Sequence, residues 1–96
     1  MRLPTYFISH GGGPWPYLDG PFRQAFDVLE QSLIAIRTEL REAPRAVLMV
    51  SSHWEERGFA VSSGAAPGMV YDYSGFPEHT YHIRYTAPGA PSVAAR

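Results

Sequence analysis

Phe22, Phe26, Leu29, Leu33, Ile36 and Leu40 recur at spacings of 4, 3, 4, 3 and 4. That is the apolar stripe of one helical face. Arg23, Gln24, Asp27, Glu30, Gln31, Arg37 and Arg41 occupy the other faces. Asp19-Gly20-Pro21 supplies the start, because a proline near the first helical position has no amide hydrogen to leave unpaired. Arg37 and Arg41 lie toward the other end, where positive charge suits the helix dipole. Pro44 forbids continuation, and its ring biases Ala43 away from helix.

Around this helix the pattern predicts strands. Thr5-Tyr6-Phe7-Ile8 is short, apolar and β-prone. Ala46-Val47-Leu48-Met49-Val50 is apolar without alternation, as in a strand covered on both faces. Strand, helix, strand in that order predicts a βαβ unit with a right-handed crossover. Phe59-Ala60-Val61-Ser62 reads as a third strand, and the weakly alternating Tyr81-His82-Ile83-Arg84-Tyr85 as an edge strand. The expected fold class is therefore α/β, with a mixed, largely parallel sheet flanked by helices. Pro91-Ser92-Val93-Ala94-Ala95-Arg96 reads as the first turn of another helix, where the sequence stops. One turn alone has little to pack against, so residues 1–96 are expected to be the N-terminal part of a longer α/β chain.

Composition narrows the classes. The chain has 96 residues, a formal net charge of -1, 45% hydrophobic residues and no cysteine. This length suits at most one small domain. With no basic cluster, nucleic acid is not an expected partner. No apolar run approaches the roughly 20 residues that span a bilayer, so neither is a membrane. The first residues carry no signal-peptide pattern, and a cytoplasmic location is the simple expectation. Without cysteine, a metal held by this chain must use His and carboxylates, in the manner of iron, manganese or zinc enzymes.

His10 follows the first expected strand and His53 follows the next parallel one. Both should lie at the carboxyl edge of the sheet, where ligand crevices of open α/β folds form. Neutral imidazoles converging there suit Fe(II), Zn(II) or Mn(II). The alternative is that each is an ordinary surface or hydrogen-bonding residue, since 43 positions separate them and no short metal motif links them. Gly11-Gly12-Gly13-Pro14 fails both phosphate-loop patterns: Pro16 stands where a dinucleotide loop needs glycine, and the chain has no lysine for a P-loop. It reads as a close backbone approach beside His10, or as a plain turn. Glu78, His79 and His82 form a second polar cluster, on one face only if that segment is helical. Glu55 reads as solvated or as a neighbour of the His53 ring. No serine sits in a Gly-x-Ser-x-Gly elbow.

Taken together, four motifs resemble one family. Ser9-His10-Gly11-Gly12-Gly13-Pro14 resembles the opening metal motif of the DODA-type (class III, LigB-like) extradiol ring-cleavage dioxygenases. Ser52-His53-Trp54-Glu55 resembles their second metal motif. Tyr71-Asp72-Tyr73-Ser74-Gly75-Phe76-Pro77 and Tyr85-Thr86-Ala87-Pro88-Gly89-Ala90-Pro91 resemble two later stretches, in the same order. The resemblance implies an oxidoreductase that opens a catechol ring beside its two hydroxyls with O2, at Fe(II) or, in some members, Zn(II). It implies His10 and His53 as metal ligands. It places a third ligand and an acid/base histidine downstream, so no catalytic residue is expected within this chain, and activity is expected to require residues beyond Arg96. It makes residues 1–96 the N-terminal part of a single catalytic domain. Gly12, Trp15, Tyr73, Phe76 and His79 are the candidates for the substrate pocket. The implied partners are a small 4,5-DOPA-like catechol and O2, and a homo-oligomer is compatible with the resemblance. The competing readings are a non-catalytic metal- or protein-binding homologue and a zinc hydrolase using metal-activated water.

Overall fold

Helix formation begins where the sequence places its start signal, and then breaks. The computed structural model describes residues 2–96. Helix α1 spans Gly20–Gln24, with Asp19 extended before it and Pro21 in its first turn. Helix α2 spans Asp27–Glu39. Between them Phe26 leaves helical geometry at φ −106°, ψ 12°, so the apolar stripe belongs to two helices rather than one. Arg23 staples the break: its guanidinium donates to Asp27 at 3.1 Å and also to Glu30, one turn further along α2. Asp27 and Glu30 stand in the first turn of α2 and Arg37 in its last, which matches the sign of the helix dipole at both ends. Leu40 ends α2 in extended geometry. Leu29, Leu33, Ile36 and Leu40 are half-buried.

The chain divides into two compact units, Met1–Glu42 and Ala43–Arg96. In the first, the buried centre is Trp15, 4% exposed, within a 3₁₀ turn at Trp15–Tyr17. Trp15 stacks on Phe26 at 5.3 Å between centroids, and Phe22 meets Phe26 edge-on at 5.4 Å. The Arg23 guanidinium lies 5.1 Å from the indole centroid, a cation–π geometry. Tyr6 donates to Glu39 of α2 at 2.7 Å.

In the second unit the organised part is a nest of rings. Tyr71, Tyr73 and Tyr81 contact one another at centroid distances of 5.2–6.4 Å, and Phe76 meets Tyr73 edge-on. A 3₁₀ turn at Glu78–Tyr81 follows Pro77. Thr80 within it is fully buried, and its hydroxyl donates to the Pro77 carbonyl at 2.7 Å. The Tyr71 hydroxyl donates to the Ile83 carbonyl and the Tyr73 hydroxyl to the Thr80 carbonyl. The chain crosses itself at Gly89, whose N–H donates to the Ala65 carbonyl at 2.9 Å. A Cβ at Gly89 would collide with the Gly64 carbonyl oxygen. Helix α3, Pro91–Ala94, forms the predicted terminal turn.

The expected α/β sheet is overturned. The described residues contain helices and turns but no strand. The segments 5–8, 46–50, 59–62 and 81–85 have no strand partner among the described residues. Most of their apolar side chains are exposed, from Phe7 through Val47, Leu48, Met49 and Val50 to Phe59, while Ala46, Tyr81 and Ile83 are half-buried. The βαβ unit and its crossover fall with the sheet. The reason is physical: β-propensity reflects packing on a pleated, half-covered surface rather than an intrinsic backbone preference. An apolar run therefore becomes a strand only where a second run pairs with it. Tyr81 instead enters the 3₁₀ turn that starts at Glu78. No helix among the described residues is long and apolar enough to cross a membrane.

Candidate functional site

His10 sits at the mouth of a loop that the sequence makes unusually tight. Gly11 adopts φ +77° and Gly13 φ +54°, conformations that L side chains rarely take. A Cβ at Gly11 would lie 2.5 Å from the indole nitrogen of Trp15 and 3.1 Å from Phe26. The same indole N–H donates to the His10 carbonyl at 2.8 Å. The close approach expected at this glycine run is thus to the chain's own tryptophan. It fixes the backbone of His10 against the Trp15–Phe26 stack and leaves the His10 residue itself exposed. Gly12 is half-buried, facing Phe26 and Phe22 at 3.7 and 3.8 Å from where its Cβ would be.

His53 lies in the second unit, in a turn after the 46–50 segment. Its backbone N–H donates to the Ser51 hydroxyl at 3.1 Å. Its ring nitrogen Nδ1 stands 2.6 Å from a carboxylate oxygen of Asp72. The two side chains are 54% and 46% exposed, so the pair is on the surface. Asp72 lies between the two tyrosines of the ring nest. Tyr71 and Tyr73 both turn toward Tyr81, while Asp72 between them reaches His53. Sequence reading missed Asp72. The available signal was an acid flanked by two aromatic residues, the pattern of alternating directions along a non-helical segment. Glu55, two positions after His53 in sequence, is not the carboxylate that pairs with Nδ1.

Of the other pocket candidates, Trp15 is buried, Tyr73 and Phe76 are half-buried in the ring nest, and His79 is exposed on the 3₁₀ turn. That turn does not put His79 and His82 to common use: His82 Nε2 pairs with Glu78 at 2.9 Å, both largely exposed. A groove of about 580 Å³ opens within the second unit, between Met69 and Tyr71 on one side and His82, Arg84 and Tyr85 on the other.

For a divalent metal the donors fit in kind and not in number. An imidazole whose Nδ1 is bonded to a carboxylate is the usual state of a histidine that ligates through its other nitrogen. Among the described residues, however, no group of three or more His, Cys, Asp or Glu side chains could hold an ion.

Comparison with characterised proteins places the chain among dioxygenases. It is 36% identical over 95 residues to "Dioxygenase tasH" of Hapsidospora irregularis, covering 96% of this chain and 29% of that protein. It is 32% identical over 95 residues to "4,5-DOPA dioxygenase extradiol" of Escherichia coli (strain K12), covering 99% and 32%. It is 40% identical over 93 residues to the protein of the same name in Portulaca grandiflora, covering 96% and 32%. The chain thus spans about a third of the length of the curated relatives it matches. No family model and no solved structure matches it.

Proposed function

We propose, for a chain that belongs to the DODA-type extradiol dioxygenase family over about a third of its relatives' length, that the whole protein opens the ring of a small 4,5-DOPA-like catechol with O2. The observation that carries this reading is the similarity itself. At 30–40% identity it runs over nearly all of this chain.

In this reading His10 and His53 hold Fe(II) or Zn(II) together with a ligand outside residues 1–96. The bound ion would supply open coordination positions that bring the catechol oxygens and O2 together. The chain's own residues do the positioning. The Trp15–Gly11 contact holds the backbone of His10, and Ser51 and Asp72 hold His53 at backbone and ring. Gly12, Tyr73, Phe76 and His79 are assigned to the surroundings of the substrate. Trp15, buried under Phe26, acts by shaping the His10 loop. The proton acceptor for the catechol lies outside this chain, which alone is inactive.

The test uses the complete gene product, prepared without oxygen, loaded with Fe(II) and mixed with a panel of catechols before air is admitted. O2 uptake matched to a yellow ring-opened product, absent without iron, supports the reading. His10→Ala and His53→Ala should each abolish iron binding and uptake. Bound metal without uptake for any catechol favours a non-catalytic homologue, and ester or amide hydrolysis in its place favours a zinc hydrolase.

A further inference from the structure

The contact between His53 and Asp72 is too exposed to matter much for stability, since surface ion pairs contribute little. Its geometry is nevertheless specific. The 2.6 Å separation involves Nδ1, not Nε2. An ionised carboxylate only accepts hydrogen bonds, so the ring nitrogen facing it must carry the proton. In a neutral imidazole a proton on Nδ1 puts the donor lone pair on Nε2.

Both partners are held from behind. The His53 N–H is bonded to Ser51, which fixes the turn from which the ring projects. The residues on either side of Asp72 are tied down by their phenols: Tyr71 to the Ile83 carbonyl and Tyr73 to the Thr80 carbonyl. Thr80 is fully buried and its hydroxyl is spent on Pro77. The carboxylate is therefore presented by an anchored stretch of backbone although it is itself half exposed.

We propose that Asp72 is a positioning residue that holds His53 as the Nδ1–H tautomer, so that Nε2 is the atom the ring offers to a metal ion. This rests on the reading of His53 as a ligand. It also gives the ring nest of the second unit a role, because Tyr71, Tyr73 and Thr80 together aim a carboxylate. Besides selecting the donor atom, the carboxylate makes the imidazole a better electron donor to a cation.

The experiment uses the complete gene product with 15N-labelled histidine, without metal and titrated with Co(II) alone. Asp72→Ala, Asp72→Glu and His53→Ala are compared with wild type, and circular dichroism confirms that each is folded. In wild type the 15N shifts of His53 should report a proton on Nδ1. Asp72→Ala should move the proton toward Nε2 and weaken Co(II) binding on the order of 10–100-fold. Asp72→Glu, which keeps the carboxylate, should recover part of both. A tautomer unchanged by Asp72→Ala overturns the proposal. So does a shifted tautomer with unchanged Co(II) affinity, provided His53→Ala abolishes binding. Full Co(II) affinity in His53→Ala overturns the ligand reading beneath the proposal, and the proposal with it.

Discussion

Gly11 shows how one residue can serve a site without touching a ligand. Its positive φ and its contact with the indole of Trp15 leave no room for a side chain. Gly11→Ala should cost about 1–3 kcal/mol for backbone strain, and it should move Trp15 off the His10 carbonyl. In the complete protein the check is a lowered midpoint of chemical denaturation with a shifted tryptophan emission maximum; an unchanged midpoint and spectrum would contradict the packing described. In the sequence this glycine run reads equally as a close approach or as a plain turn, because glycine permits both. The partner was not readable. Trp15 is four positions away within an irregular loop, and no period governs which way an indole turns there. Asp72 was hidden for a similar reason. It lies 19 residues from His53, and only the arrangement of the tyrosines beside it sends it there.

At the scale of elements, the apolar stripe of the helix was legible because 3.6-residue periodicity is local. The break at Ala25–Phe26 was not, because it depends on Phe26 turning to stack on Trp15. The strands failed for the opposite reason: they are non-local, and an apolar run does not specify its partner. What joins the 2–10 segment to α2 is a polar contact, Tyr6 to Glu39. The bond to the Glu39 carboxylate, aided by its negative charge, raises the Tyr6 pKa above its ordinary 10.0. The neutral phenol is thus favoured in the folded chain. The contribution is fully present below the unfolded value and is lost as pH rises through the higher folded one. Tyrosinate absorbance should show one phenol titrating late, lost in Tyr6→Phe and returned toward 10 in Glu39→Gln. A titration unchanged by either substitution would show that the contact does not persist in solution.

For the whole chain the decisive quantity is how little of it is covered. Among the described residues only Pro14, Trp15 and Thr80 are buried. Phe7, Phe59 and the run Val47–Val50 are among the most exposed. Burial on this scale does not offset the conformational entropy of ordering 96 residues. Produced alone, residues 1–96 should show helical circular dichroism, bind a hydrophobic dye and melt without a cooperative transition. A sharp melt with no dye binding would show that the chain covers these segments itself. The family could be read from the sequence because its motifs are short and ordered. The tertiary cover could not, because nothing in a motif says what lies over its neighbours.

The crossing at Gly89 carries a caution for anyone mapping this protein by mutation. The Gly64 carbonyl lies where any other residue would put its first side-chain carbon. Every replacement at that position would read as damaging. Such a signature is commonly taken to mark a place where a ligand binds. Here it would mark two stretches of main chain passing too closely for a methyl group, and the Tyr-x-Ala-Pro-Gly-x-Pro motif would owe its glycine to clearance rather than to chemistry.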